Sequence, residues 1–290
     1  MIIVTGAGGN VGSATVAALT EKGARFKAAY RKPSEIDSAK AQGIDAVQVD
    51  YSDTDGMTRA FEGADRIFYV NVATPDFVQH TANVIEASKR AGIKQLAKLS
   101  VWGAETEAFE FARAHREAER VIEASGLPWT YVQPNGFFQN LLGLAPLIQS
   151  QSLFTQAVAD PAVSEQDVHD IAAVAAAILT SDGHDGKAYR ISGPETITGT
   201  QKAEILSELL GRKIQFFAQP ADEWKKGAMQ FGVPESLADA IITLMRFYAN
   251  GGANEIVDTV PRLTGKPART FRQFATDHIA AFRGEKAAGA

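Results

Sequence analysis

The sequence contains no cysteine among its 290 residues. It therefore has no disulfide, no thiolate nucleophile and no cysteine-ligated metal, and nothing in it argues for an oxidising compartment. No stretch approaches the roughly 18 uninterrupted apolar residues of a membrane span. Because the first predicted strand begins at residue 2, we expect no signal peptide and a cytoplasmic location.

An excess of positive charge is also lacking. The formal net charge is -5 at pH 7, with 29 Lys and Arg against 34 Asp and Glu. This balance gives no electrostatic reason to expect nucleic acid or an anionic membrane as a partner. The length of 290 residues suffices for one large domain, or for a domain of ordinary size with a smaller lobe.

What the chain does have is a glycine-rich turn near its start. The apolar run 2–4 is typical of a strand buried on both faces of a parallel sheet. After it, Gly6 permits a sharp turn, Gly9 lets backbone approach a diphosphate, and Gly12 lets the next helix pack closely. We predict a nucleotide-binding turn here, with a bare hairpin turn as the alternative. The residues of this turn assigned to cofactor binding are Thr5, Gly6, Gly8, Gly9, Asn10, Val11 and Gly12.

The residues after the second predicted strand, 26–30, indicate which nucleotide binds. In a Rossmann sheet, an Asp or Glu at this strand end accepts a hydrogen bond from the 2′-hydroxyl of NAD. Arg31 and Lys32 stand there instead. Because two cations can pair with a 2′-phosphate, we predict NADP (NADPH) as the cofactor, with NAD disfavoured. A solvated Arg-Lys pair on a surface loop is the alternative.

Further strands and helices alternate along the first half of the chain. Strands are predicted at 46–49, 66–72, 95–100 and 127–133, and helices at 10–22, 54–61, 76–91 and 108–124. The pattern predicts an α/β fold, a doubly wound parallel-sheet Rossmann domain over 1–150 with a smaller, mainly helical C-terminal lobe over 151–290. Residues 163–192 of the lobe, with a helix capped by Ser164 and a strand at 188–191, are predicted to pack back on the Rossmann sheet.

Residues that follow the strands are candidate ligand contacts, because open α/β sheets bind ligands at the carboxyl ends of their strands. Asp50 is predicted to accept from the adenine amino group and Tyr51 to lie against the ring, although Asp50 could instead cap the next helix. The other assigned cofactor contacts are Val70, Asn71, Val72, Ser100, His115, Pro134 and Asn135. The assigned substrate pocket consists of Ala73, Trp102, Phe137 and Phe138, with ordinary core as the alternative for the two phenylalanines.

The proton donor of short-chain dehydrogenases, a Tyr with Lys four residues later, is missing. None of the six tyrosines has a lysine at that spacing. On the helix 108–124, His115 and Glu119 share one face instead, so His115 is the candidate catalytic residue and Glu119 is predicted to orient it. A local His-Glu hydrogen bond without a catalytic role is the alternative. We predict no metal site, because helix capping explains Asp167 and Asp170 more simply than metal ligation does.

Together these motifs resemble the NmrA-like atypical short-chain dehydrogenases. The resemblance is carried by T-G-A-G-G-N-V-G at 5–12, Arg31, residues 49–51, the run 93–100, His115 with Glu119, and residues 129–136. It is specific over the first 140 residues and looser afterwards. Within the family, the chain is most similar to the bacterial NADPH quinone oxidoreductase and triphenylmethane reductase branch, which also lacks the Tyr-Lys pair. Gly8 and Gln133 depart from the family, which usually has Thr and Arg there.

The resemblance implies NADPH-dependent reduction of a quinone-like or otherwise conjugated apolar acceptor by hydride transfer. Such an acceptor needs little acid catalysis, because the developing phenolate is a stable anion, so the missing Tyr-Lys pair is compatible with it. The family also contains NADP-binding redox-sensing regulators without turnover, which would act on a protein partner. We predict a small apolar or aromatic substrate, no nucleic acid or membrane partner, and leave a homodimer open.

Overall fold

The computed structural model describes residues 1–72 and 74–285. Its strands are β1 (Ile2–Val4), β2 (Phe26–Tyr30), β3 (Ala46–Gln48), β4 (Arg66–Tyr69), β5 (Gln95–Leu99), β6 (Trp129–Pro134), β7 (Leu153–Ala157), β8 (Lys187–Ile191) and β9 (Gln215–Gln219). A parallel sheet has the order β3-β2-β1-β4-β5-β6-β8, and β7 pairs with β9 in a second, two-stranded parallel sheet. Because the strand order reverses between β1 and β4, a crevice is expected at their carboxyl ends.

Helices cover both faces of the large sheet, and further helices pack around the two-stranded sheet. They are α1 (Asn10–Glu21), α2 (Pro33–Ala41), α3 (Thr54–Phe61), α4 (Phe77–Ala91), α5 (Glu110–Ala124), α6 (Ala145–Gln151), α7 (Val168–Thr180), α8 (Gly199–Leu210), α9 (Ala221–Gln230), α10 (Glu235–Ala249), α11 (Thr259–Thr264), α12 (Phe271–Asp277) and α13 (Ile279–Arg283). Short 3-10 turns lie at Ala104–Thr106 and Phe138–Leu144. No described helix is both long and apolar enough to cross a membrane.

Three apolar cores account for most of the buried side chains. One core lies between the sheet and helices α1 and α7, and a second lies on the opposite face beneath α3, α4 and α5. The third, outside the sheet, joins Phe138 and α6 to β7, α8, α12 and α13. The predicted α/β class with a doubly wound parallel sheet is therefore confirmed. Strand β8 and helix α7 come from the second half of the chain but belong to the large sheet and its core.

Several element boundaries differ from those predicted. Strand β4 ends at Tyr69 and not at residue 72, because the Val70 amide donates to the Thr5 hydroxyl (2.9 Å) instead of a neighbouring strand. Helix α7 begins at Val168 with Asp167 as its cap, so Ser164 does not cap it. Near the end of the described residues, the chain forms two short helices, α12 and α13, which meet at His278. The sequence patterns do not predict α2, α6, β7 or α11, which are short and carry few apolar residues in register.

Candidate cofactor and active site

The glycine-rich turn between β1 and α1 is built around two positions that exclude any side chain. Gly6 has a φ of +61°, and a Cβ there would lie 2.6 Å from the Val70 carbonyl oxygen. A Cβ on Gly12 would lie 2.0 Å from the Gly6 carbonyl oxygen, so α1 packs directly on the turn. Gly9 differs, since its Cβ would meet Gly6 at an ordinary 3.5 Å and its φ is -90°. The protein's own packing therefore does not require glycine at position 9.

The start of α1 has the properties of an anion-binding helix end. Gly9 is its N-cap and provides no side-chain capping bond, and no acidic residue lies in the first turn. The first amide groups of a helix lack intrahelical acceptors and carry the positive end of the helix dipole. Asn10 is exposed beside them, whereas the Val11 side chain is buried in the core. The assigned contact of Val11 can thus be made only by its backbone.

Thr5 is directed into the protein and not toward the crevice. Its hydroxyl accepts from the Val70 amide at 2.9 Å and lies 3.3 Å from the carbonyl oxygens of Phe68 and Val70. The side chain is fully buried. The Thr5 side chain therefore joins the ends of β1 and β4, and its assignment to cofactor binding stays a prediction.

The two cations after β2 lie at the edge of the crevice. Arg31 and Lys32 are exposed, and neither forms an ion pair with another residue of the described ranges. The Gln48 side chain donates to the Arg31 carbonyl oxygen at 3.2 Å, which anchors the backbone there. Nearby, a Cβ on Gly8 would lie 2.9 Å from a Glu35 carboxylate oxygen. A threonine at position 8 would require only the end of the Glu35 side chain to move, so this contact does not explain the glycine there.

Asp50 and Tyr51 follow β3, but local contacts already engage both side chains. The Asp50 carboxylate accepts from the Ser52 amide (2.8 Å) and hydroxyl (2.7 Å), and these bonds lower its pKa. The cap of α3 is Asp53, so Asp50 does not cap that helix. The Tyr51 hydroxyl donates to the Val70 carbonyl oxygen at 2.7 Å, and its ring packs edge-on against Tyr69. Asp50 is exposed and Tyr51 is half-buried.

The segment after β4 carries the most exposed apolar side chain of this edge. Val72 is 74% exposed, and its amide donates to the Asn71 side-chain oxygen at 2.8 Å. The Asn71 amide group in turn donates to the Tyr69 hydroxyl at 3.2 Å. Ala73, assigned to the substrate pocket, lies outside the described residues.

A cluster of buried polar side chains lies at the carboxyl end of β5. His115 is 8% exposed and its Nδ1 lies 2.8 Å from the Lys98 ammonium nitrogen. Glu119, in the next turn of α5, accepts from the Ser100 hydroxyl (2.6 Å) and the Gln133 amide (3.0 Å), and pairs with Arg116 at 3.0 Å. The predicted orientation of His115 by Glu119 is therefore corrected. Strands β5 and β6 present Ser100 and Gln133 to the carboxylate, while β5 presents Lys98 to the imidazole.

Within this cluster, the pKa values of both Lys98 and His115 are lowered. Burial lowers the pKa of Lys98 to about 7, and the Glu119 carboxylate opposes part of that effect. Burial and the adjacent Lys98 hold the pKa of His115 well below its usual range. The imidazole is consequently neutral at pH 7 and does not act as a cation. Ser100 donates its hydroxyl proton to Glu119, so it points away from a ligand at the sheet edge.

Residues assigned near β6 fasten the C-terminal half to the sheet. The Asn135 amide donates to the Ser164 hydroxyl (3.0 Å) and the Ala253 carbonyl oxygen (3.1 Å). The Trp102 indole donates to the Gly252 carbonyl oxygen at 3.0 Å, and the Arg190 guanidinium lies 5.2 Å from its ring. These two side chains are buried in structural contacts, and their assignments to the cofactor and the substrate pocket stay predictions. Pro134 is likewise buried, as the last residue of β6.

The two phenylalanines assigned to the substrate pocket, Phe137 and Phe138, differ in their surroundings. Phe138 is 1% exposed and packs 5.4 Å from Phe271 and 5.6 Å from Phe274, centroid to centroid, in the third apolar core. Its assignment to the substrate pocket is therefore corrected to core. Phe137 is half-buried at the bridge to Gln166 and stays a candidate for the pocket.

An ion-pair cluster at the start of α7 contains Asp167, His169 and Asp170, whose side-chain types also occur in metal sites. The Asp167 carboxylate accepts from the His169 amide (3.0 Å) and from Arg269 Nε (2.9 Å), and Asp170 accepts from the Arg269 amide at 2.8 Å. Among residues 1–72 and 74–285, no group of three or more His, Asp or Glu side chains is placed to hold a metal ion. The cluster ties the segment before α12 to the start of α7.

Sequence reasoning misses Lys98, and a signal for it is present. The strand β5 reads Gln-Leu-Ala-Lys-Leu, so a lysine interrupts an otherwise apolar strand in the middle of the sheet. A lysine is seldom fully buried unless it has a polar partner. A lysine in a predicted central strand therefore indicates a buried polar site on a neighbouring helix.

Two surface cavities do not coincide with the carboxyl edge beside the glycine turn. One of about 660 Å³ lies at the opposite ends of the strands, with side chains of both charge signs such as Arg66 and Asp182. The other, of about 440 Å³, lies against α10 and is lined by Arg246 and Phe247 among others. Neither cavity combines a helix N-terminus with a close backbone approach, as the glycine turn does.

Comparison with known proteins identifies the family of the chain. Residues 6–182 match the model of a protein family described as NAD(P)H-binding. An NAD(P)H azoreductase from Xenophilus azovorans is 36% identical over 97% of this chain and 99% of its own length. A (4-alkanoyl-5-oxo-2,5-dihydrofuran-3-yl)methyl phosphate reductase from Streptomyces griseus is 36% identical over 98% of this chain and all of its own. The NADPH complex of the Escherichia coli quinone oxidoreductase QOR2 superposes with a TM-score of 0.88 at 28% identity, covering 96% of this chain and 99% of that one.

Proposed function

This chain belongs to the NAD(P)H-binding family, and from that membership we propose that it is an NADPH-dependent oxidoreductase that transfers hydride to a small, conjugated acceptor. Quinones and azo compounds are the acceptor classes we favour, because relatives across the whole chain length are named for them. The predicted resemblance to the NADPH quinone oxidoreductase branch is confirmed. The observation that carries the proposal is the glycine turn, with its uncapped helix start and the exposed Arg31 and Lys32 beside it.

Each part of the cofactor has a proposed partner in the chain. The amide groups at the start of α1 would hold the diphosphate, and the open space above Gly9 would admit it. Arg31 and Lys32 would pair with the 2′-phosphate, which NADH lacks. Asp50 would lie at the adenine end, and Asn71 and Val72 would lie along the path toward the nicotinamide. The chain thereby selects NADPH by charge at one end and places its reactive ring at the other.

The chain would position the acceptor against the cofactor and donate a proton to it. When bound, the cofactor supplies the hydride, and the protein holds the acceptor against it. His115 lies between the Phe77 ring (5.0 Å) at the start of α4 and Lys98 on β5. We assign His115 as the candidate proton donor to the reduced acceptor. Val72 and Phe137 are apolar side chains at the same edge that would contact a flat substrate.

Turnover on an acceptor panel tests this proposal. NADPH oxidation would be followed at 340 nm with a naphthoquinone, a monocarboxylated azo dye and no acceptor, and repeated with NADH. We expect acceptor-dependent oxidation, faster with NADPH than with NADH. NADPH binding in equilibrium titrations without turnover of either acceptor would contradict the enzyme and favour the redox-sensing regulator. The cytoplasmic location stays a prediction. The homodimer stays open.

A further inference from the structure

Lys98 is a buried cationic group that no assigned role explains. It occupies the fourth position of β5, its side chain is fully buried, and the Phe77 ring lies 5.4 Å from its ammonium nitrogen. The ammonium group donates to the Leu99 carbonyl oxygen at 3.1 Å and lies 2.8 Å from His115 Nδ1. Taking a lysine side chain out of water is costly, so a fully buried one calls for a specific interaction that offsets the cost.

The contact between Lys98 and His115 determines which nitrogen of the imidazole carries its proton. An ammonium group has donors and no acceptor, so Nδ1 must offer its lone pair to Lys98. The single proton of the neutral imidazole then resides on Nε2, the nitrogen on the far side of the ring. The neutral imidazole therefore offers an N–H donor, and does not act as an imidazolium, on the side of the ring away from Lys98.

We propose that Lys98 is a positioning residue for His115 and the source of the proton that follows the hydride. The inference rests on the proposed reductase function. Once hydride has added to the acceptor, the anion formed on its oxygen or nitrogen takes the proton from Nε2. At the same time Nδ1 takes a proton from the Lys98 ammonium group, so the imidazole stays neutral. Lys98 is left as an amine and regains a proton from water before the next turnover.

The charges around the pair suit such a transfer. Tyr69 of β4 and Tyr131 of β6 flank Lys98 in the sheet, and burial raises the pKa of both, so they stay neutral during the assay. From α5, the Glu119 carboxylate acts on Lys98, but Arg116 neutralises it in part. Because burial lowers the pKa of Lys98 to about 7, its ammonium group holds its proton less tightly than an exposed lysine does.

The kinetic test uses the Lys98→Met variant, which keeps the length of the side chain and removes its proton. Hydride addition to an azo bond leaves a strongly basic nitrogen anion, whereas a quinone leaves a stabilised phenolate. We therefore expect Lys98→Met to lower kcat for the azo dye about 100-fold, within the usual range for general acid catalysis, and for the naphthoquinone by less than about threefold. The Kd of Lys98→Met for NADPH should equal that of the wild type. The matched control is Lys94→Met, at an exposed position directly before β5, and its kinetics should be unchanged.

The pH profile gives a second kinetic readout. In the wild type, kcat for the azo dye should fall as the pH rises through about 7, because Lys98 loses the proton that it supplies. In Lys98→Met this step should be absent. Equal losses with both acceptors, or an unchanged step, would overturn the proton-source role.

The tautomer of His115 can be measured without any turnover. Nitrogen-15 NMR of the wild type at pH 6, where Lys98 keeps its proton and the imidazole is neutral, should show Nε2 protonated and Nδ1 unprotonated, with the signal assigned by a His115→Gln variant. In Lys98→Met the Nδ1 signal should shift toward the protonated form. A proton on Nδ1 in the wild type would overturn the proposal even if no Lys98 variant folds. A wild type with the expected tautomer that reduces no acceptor would refute the proposed function alone.

Discussion

Two alanine substitutions in the glycine turn should have opposite effects. In Gly12→Ala the new Cβ would lie 2.0 Å from the Gly6 carbonyl oxygen and 2.9 Å from the Ala7 Cα. Both neighbours are backbone atoms, so the turn or the helix must shift by roughly 1 Å or more. In Gly9→Ala the nearest atom is 3.5 Å away and the backbone angles suit any residue. The first substitution therefore damages the fold, and the second fills only the space reserved for a ligand.

The expected magnitudes follow from packing and backbone entropy. Overpacking costs about 1–3 kcal/mol, and alanine in a helix recovers up to about 1 kcal/mol relative to glycine. For a chain of this size a net loss of about 1–2 kcal/mol lowers Tm by about 2–8 °C. Gly9→Ala should leave Tm unchanged or raise it slightly, since alanine reduces the entropy of the unfolded chain. Its Kd for NADPH should rise at least about tenfold, the equivalent of about 1.4 kcal/mol.

Two measurements on each variant separate these effects. Thermal unfolding without cofactor, followed by circular dichroism, reports the fold, and NADPH fluorescence titration reports the binding site. Wild-type affinity in Gly9→Ala would refute the close approach of the diphosphate at that position. A wild-type Tm in Gly12→Ala would refute the tight contact between α1 and the turn.

Three further substitutions test the charges of the site and of the core. Arg31→Asp should weaken NADPH binding about tenfold or more and leave NADH binding nearly unchanged, because it removes a cation from the 2′-phosphate; an unchanged ratio of the two Kd values would contradict the assignment. His115→Ala should lower kcat for an azo acceptor at unchanged Kd for NADPH, and full activity would assign His115 a structural role. Burial raises the pKa of Asp170 from 3.8 to about 6, so its charge destabilises the fold above pH 6 and the penalty disappears as the pH falls below about 4. Asp170→Asn should therefore raise the free energy of unfolding in urea by about 2–3 kcal/mol at pH 7.5 and by only about 0.5 kcal/mol at pH 4, and a pH-independent difference would refute the cause.

The start of the crevice is predictable from the sequence because its determinants are local. Strand β1 is a run of β-branched residues, and the spacing of Gly6, Gly9 and Gly12 follows from one turn and the first turn of one helix. The alternation of apolar strands with amphipathic helices likewise indicates a doubly wound sheet. Arg31 is predictable as well, since its position is defined by the end of β2. Such features depend on contacts within one element or between neighbours in the chain.

The polar centre at β5 is not predictable in the same way. The helical spacing of His115 and Glu119 correctly places both on the buried face of α5, yet spacing cannot say what each side chain meets. Ser100 and Gln133 reach Glu119 from two different strands, and Lys98 reaches His115 across 17 residues of chain. The competition among these donors is decided by how β5 and β6 lie beneath the helix.

The sequence by itself determined the fold class, the glycine turn and the positive charge after β2, because each is expressed in short-range periodicity or in residues at a strand end. Only the tertiary structure decided which buried polar groups pair, since sheet order brings together residues that are distant in the chain. It also moved Phe138 into the core and turned Asn135 toward the C-terminal half. The glycine turn is therefore a property of local sequence, and the polar cluster around Lys98, His115 and Glu119 is a property of packing.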